Sequence, residues 1–80
     1  MNKISEMVMP NNMSDERLES CILELFHFHD KGILEDGLVR RFANEIVEKI
    51  GESVMPYKIK IAEDTLFREA ARRWLFRERN

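Results

Sequence analysis

Three segments of the chain place apolar residues at steps of three and four, the period of an amphipathic α-helix, and this feature most constrains the fold. The first segment begins after Ser14 and ends at Gly32. The second ends at Gly51, and the third ends near Arg77. A chain of 80 residues is long enough for one small domain. The sequence therefore predicts an all-α, three-helix domain over residues 14–80.

The ends of the first two helices are marked by capping residues. Ser14 is a good N-cap, and Gly32 and Gly51 are natural C-terminal stops because glycine readily adopts the left-handed conformation. The start of the second helix is open between two alternatives. Asp36 can cap a helix that begins at the next residue, or the helix can begin near Ile33 and include a glycine at a cost of about 1 kcal/mol.

Residues 52–62 carry two conflicting patterns. Tyr57, Ile59 and Ile61 alternate with lysines, which is typical of a strand. Pro56 can instead begin a helix, since its fixed φ suits a first helical turn. We expect a short extended segment near residues 55–61, with a helix as the alternative. The third helix is then expected to begin at about residue 63 or 64.

Residues 1–13 are expected to form an extended or mobile N-terminal arm, because Pro10, Asn11 and Asn12 interrupt any helical period. The single cysteine, Cys21, favours a reducing compartment. No apolar run approaches the roughly 20 residues that span a bilayer, and the N-terminus lacks the apolar stretch of a secretory signal. The sequence therefore predicts a cytoplasmic protein with no membrane partner.

Charge is distributed unevenly along a chain whose net charge is −2. Residues 1–36 hold eight acidic residues against three basic ones, a balance of −5, and residues 37–80 hold ten basic against seven acidic ones, a balance of +3. Opposite charges at the two ends can pair within one chain, between two chains, or with a charged partner. The sequence leaves these three alternatives open.

The C-terminal stretch REAARRWLFRERN contains five arginines and two aromatic residues. A helical wheel at about 100° per residue places Trp74 and Leu75 in the core and directs Phe76 away from it, between arginines on both sides. Aromatic and arginine side chains are enriched at the centres of protein interfaces. The alternative is that the arginines only finish the helix. The predicted partner-binding residues are Arg68, Arg72, Arg73, Phe76, Arg77 and Arg79.

The sequence offers no pattern that supports catalysis or a metal site. His27 and His29 would point about 200° apart on a helix, and neither stacks with Cys21, whereas zinc sites need convergent ligands. No glycine-rich phosphate loop is present. We therefore expect no enzyme activity, no cofactor, no metal and no small-molecule substrate.

The leading functional prediction is a small non-enzymatic intracellular regulator or inhibitor that binds another protein. A homodimer or a tight complex with a different chain is expected, because the apolar arcs of the first two helices are too wide for so short a chain to cover; symmetric pairing is the commonest solution. The alternative is a DNA-binding regulator that uses the arginine-rich C-terminal helix, since arginine neutralises phosphates and aromatic rings stack on bases.

Overall fold

The protein folds as three α-helices, which confirms the predicted all-α class. The structure, a computed structural model, describes residues 10–79, and within that range it contains no strand. The helices are α1 (Asp15–Lys31), α2 (Leu38–Ile50) and α3 (Lys58–Arg79). Short 3-10 helices at Pro10–Asn12 and Glu52–Tyr57 precede α1 and α3.

The core lies where the three helices meet. All of its buried residues come from α1, α2, the first half of α3 and the loop that joins α1 to α2. Burial raises the pKa of the Cys21 thiol, a shift that Glu24 reinforces and Arg17 opposes. The buried apolar residues are Leu18, Cys21, Leu25, Leu34, Val39, Phe42, Ala43, Ile46, Ala62 and Leu66.

The predicted caps of α1 and the predicted end of α2 are confirmed. The Ser14 hydroxyl oxygen accepts a hydrogen bond of 3.1 Å from the backbone N–H of Arg17. Gly32 takes a left-handed φ of 78° and donates its N–H to the Phe28 carbonyl at 2.7 Å. Gly51, at a φ of 127°, closes α2 in a similar way. Both glycines hold φ values that a side chain would disfavour.

The start of α2 is fixed by a residue of α1. The two carboxylate oxygens of Glu24 accept hydrogen bonds from the backbone N–H groups of Leu38 and Val39, at 3.0 and 2.9 Å. A Cβ atom at Gly37 would lie 2.6 Å from Glu24 Oε2, so the missing side chain makes room for this carboxylate. The helix therefore begins at Leu38, and neither predicted alternative, capping by Asp36 or a start near Ile33, is observed.

The expected extended segment at residues 55–61 is wrong. A 3-10 helix, Glu52–Tyr57, runs directly into α3 at Lys58, about five residues before the predicted start of the third helix. Pro56 fits inside this 3-10 turn because its φ is already close to a helical value. Ile59 and Ile61 are half-buried against the core without any neighbouring strand. Packing of this segment as a helix against the core has therefore outweighed the strand preference that its alternating apolar residues indicate.

Only the last part of the predicted N-terminal arm falls within the described residues, since residues 1–9 lie outside them. Pro10–Asn12 forms a 3-10 turn, and the N–H of Met13 bonds to the Pro10 carbonyl at 3.0 Å. Met13 packs against the core. The chain is therefore anchored before α1 begins.

Replacing Glu24 by alanine should destabilise the protein, because two N–H groups at the start of α2 lose their acceptors. We expect a loss of about 1–3 kcal/mol in the free energy of unfolding, measured by urea denaturation. Glu48→Ala is the matched control, since Glu48 is an exposed glutamate of α2 and its truncation should change stability by less than about 0.5 kcal/mol. Equal losses in the two variants would contradict the capping role.

Candidate protein-binding surface

Helices α1 and α3 run antiparallel and contact each other along most of α1. Asp15 at the start of α1 meets Arg77 at 3.0 Å, and His29 near its end meets Glu63. Between these two contacts the rings of Phe26 and Phe67 lie 5.9 Å apart. The pairing brings the acidic N-terminal half of the sequence against the basic C-terminal helix.

Helix α3 extends beyond the hydrophobic core that its first half helps to form. It has 22 residues, whereas α2 has 13. Trp74 is 58% exposed, Leu75 51% and Phe76 58%. The prediction that Trp74 and Leu75 belong to the core is therefore wrong: their place in the apolar stripe is right, but α3 has passed the end of the core. We call Trp74, Leu75 and Phe76 the α3 tip.

Two of the predicted arginines are paired on the surface of α3. Arg68 bonds to Asp64 at 2.8 Å in an exposed ion pair. Arg72 bonds to Glu69 at 2.8 Å, and its guanidinium carbon lies 5.7 Å from the centre of the Phe76 ring. Arg72 and Phe76 are thus brought together, as the patch prediction requires. Each guanidinium is already compensated by a carboxylate of its own chain.

Of the remaining predicted arginines, the two whose side chains are described, Arg73 and Arg77, lie away from the contact between Arg72 and Phe76. Arg77 lies on the opposite side of α3 from Arg72 and bonds to Asp15. Arg79 is the last residue of α3, and its side chain lies outside the described part of the structure. Arg73 is used inside the molecule, where its side chain is only 15% exposed.

Arg73 joins three parts of the chain through a single guanidinium. Its Nε bonds to Glu69 on α3 at 2.7 Å, and its Nη1 bonds to Asp15 on α1 at 2.8 Å. Its Nη2 donates to the backbone carbonyls of Pro10 and Met13, at 3.1 and 2.6 Å. The arginine therefore fixes the N-terminal turn and the start of α1 against α3.

Glu69 is the one charged residue buried among the described residues, at 4% exposure. Hydrogen bonds from Arg72 and then Arg73 lower the pKa of its carboxyl, although burial opposes them. The same bonds raise the pKa values of both arginines. A buried charge costs stability unless it is paired and hydrogen-bonded, and here both conditions are met. Ion pairs thus stabilise the turn of α3 that precedes the α3 tip.

An open groove lies between the first half of α1 and the α3 tip. It has a volume of about 360 Å³, and sequence reasoning missed it entirely. The helical spacing of Ala70 and Trp74 was visible in the sequence, but their pairing with Ile22 depends on how the two helices align. We call this the acidic groove; it is lined by Asp15, Glu16, Leu18, Glu19, Ile22, Ala70, Trp74 and Arg77.

The two histidines lie apart and each faces a different carboxylate. His27 is 3.3 Å from Glu35, and His29 is about half exposed and contacts Glu63. Nowhere in residues 10–79 do three histidine, cysteine or acidic side chains converge as metal ligands would. Cys21 is fully buried in the core, away from both histidines.

No family model, no curated protein and no solved structure matches this chain. None of the described helices is long and apolar enough to cross a membrane. What the surface can bind is therefore argued from its own shape, exposure and charge.

The lowered pKa of Glu69 predicts how its contribution to stability depends on pH. A carboxylate whose pKa is depressed by folding stabilises the protein above its unfolded pKa, about 4.3, and loses that effect as pH falls through the folded pKa. Glu69→Gln should therefore be less stable than wild type by about 1–3 kcal/mol at pH 7, and the difference should shrink on acidification below about pH 4.3.

Urea denaturation at several pH values between about 7 and 3 measures this difference. Asp64→Asn is the matched control, because Asp64 pairs with an arginine on the exposed face of the same helix. Exposed pairs contribute little, so the control should change stability by less than about 1 kcal/mol at any pH. A Glu69→Gln deficit that stays constant down to pH 3 would show that the charge of Glu69 is not what stabilises the network.

Proposed function

We propose that this protein is a small, non-enzymatic, cytoplasmic regulator or inhibitor that acts by binding another protein. The observation that carries the proposal is the α3 tip, where three consecutive large apolar side chains are each more than half exposed. Large apolar groups that gather on a surface mark sites of protein interaction more often than scattered ones do. Tryptophan in particular is enriched among the residues that dominate binding energy.

The charges around the tip favour a protein partner over DNA. Arg68, Arg72 and Arg77 each bond to a carboxylate of the same chain, and Arg73 is largely covered. Binding to a phosphate backbone depends on cations that neutralise phosphates and release counterions. Arginines that are already neutralised would have to exchange one partner for another. The net charge of −2 also disfavours approach to DNA.

The three side chains of the α3 tip point in different directions and can form two separate contacts. Trp74 faces the acidic groove, whereas Leu75 and Phe76 lie about 100° and 200° around the helix from it. We assign the Trp74 side to the regulated partner. We assign Leu75 and Phe76, together with the stacked Arg72, to a second copy of this chain in a two-fold dimer.

Trp74→Ala should weaken binding to the regulated partner without unfolding the chain, because the side chain is 58% exposed. Wild type and variant are used as baits in a native extract, and the affinity for each captured protein is then measured. We expect a loss of about 1–3 kcal/mol in binding free energy. Tyr57→Ala is the control, since Tyr57 is a similarly exposed aromatic residue outside the tip. If both variants capture the same proteins as wild type, the proposal fails.

Light scattering tests the dimer. Wild type should show about twice the chain mass of 9.6 kDa at roughly micromolar concentrations, as typical dimer affinities imply. The double substitution Leu75→Ala and Phe76→Ala should reduce this to one chain mass, because it removes apolar area from both copies. Ile33→Ala, which truncates an equally exposed apolar residue elsewhere, should leave the dimer intact. A wild type that stays monomeric contradicts the dimer.

A further inference from the structure

The acidic groove has an apolar floor and one aromatic wall. Leu18 is buried beneath it, Ile22 and Ala70 are half-buried, and Trp74 stands over them with more than half of its surface exposed. A volume of about 360 Å³ is at the small end of the range for binding sites. The groove is open along its length, so it can accept side chains from one face of a helical or extended segment.

Among the described residues that line the groove, acidic side chains outnumber basic ones. Glu16 and Glu19 are exposed on its α1 side, and within the described chain neither forms an ion pair. Asp15 is already occupied by Arg73 and Arg77. Arg77, the one base among the described residues that line the groove, shares Asp15 with Arg73, so the described lining carries three carboxylates against one guanidinium.

The exposed indole of Trp74 adds a second preference for a cation. The face of an indole ring attracts lysine and arginine, and the aliphatic stems of these residues also pack against aromatic surface. Carboxylates and phosphates would instead be repelled by Glu16 and Glu19. The apolar floor, the Trp74 ring and the two glutamates therefore all favour a ligand that carries both apolar and basic side chains.

We infer that the acidic groove binds a cationic amphipathic segment of a partner protein, with an apolar side chain on the floor and lysine or arginine between Trp74 and Glu19. The inference rests on the proposed function and specifies the chemistry of the partner. The segment carries its apolar residues on one face and its basic residues along the edge of that face.

The probe is a synthetic 14-residue peptide of leucine and lysine at helical spacing, with a counterpart that has glutamate in place of lysine. Trp74 is the only tryptophan of the chain, so its fluorescence reports directly on the groove. We expect the lysine peptide to shift the Trp74 emission to shorter wavelength as water is excluded. The glutamate peptide should produce no shift at the same concentrations.

Two matched double variants test the charge. Glu16→Gln with Glu19→Gln should weaken binding of the lysine peptide by about fivefold and reduce its dependence on salt. Glu45→Gln with Glu48→Gln makes the same change in charge, at the same spacing, on the exposed face of α2. This control should bind within about twofold of wild type, since screened charges act over only about 10 Å.

Several outcomes overturn the inference. The lysine peptide fails to bind wild type, the glutamate peptide binds as well, or the two double variants weaken binding equally. The groove is filled by a second copy if Trp74 emission shifts with protein concentration alone and the Glu16→Gln, Glu19→Gln variant is monomeric. In each case the proposed function stands as long as Trp74→Ala loses the captured partner. Failure of the proposed function is distinct, because Trp74→Ala then captures the same proteins as wild type.

Discussion

The structure depends on the bonds that Arg73 makes at the point where the core ends. Beyond Leu66 no apolar residue of α3 is fully buried. Ion pairs and hydrogen bonds, rather than apolar packing, therefore hold this part of α3 in place. The guanidinium bonds to buried Glu69, ties α3 to Asp15 and holds the N-terminal turn by donating hydrogen bonds to two backbone carbonyls. Removing Arg73 would leave buried Glu69 with Arg72 as its one remaining ion-pair partner among the described residues, so the members of the network depend on one another.

The length of α3 then sets where the protein can interact. At 1.5 Å per residue α3 extends about 33 Å and α2 about 20 Å, so α2 cannot cover both ends of α3. Arg73 holds the uncovered end against α1 rather than letting it fray. A helix end tied to α1 in this way, with Trp74, Leu75 and Phe76 exposed, has less conformational entropy to lose on binding than a free end would, which favours affinity.

Local chemistry could be predicted from the sequence, and long-range geometry could not. Ser14 and Gly32 act on residues within four positions, so their roles follow from their own surroundings. Glu24 caps a helix 14 residues further along the chain, and no local pattern marks that contact. Trp74 shows the same limit: periodicity gives the face of a helix but not how far its neighbours extend. At residues 55–61 alternation suggested a strand, yet a strand requires a partner that a helical chain lacks.

Pairing within the chain reduces the positive charge that the C-terminal region presents. Read along the sequence, the arginines make this region basic and suggest a cationic recognition helix. In the fold, Arg72, Arg73 and Arg77 share the two carboxylates of Asp15 and Glu69, so pairing lowers their positive charge without cancelling it. Among the described residues that line the acidic groove, the carboxylates that form no ion pair are Glu16 and Glu19 of α1. The arginines therefore build the surface, whereas the exposed aromatic residues and the glutamates of α1 determine what the surface can bind.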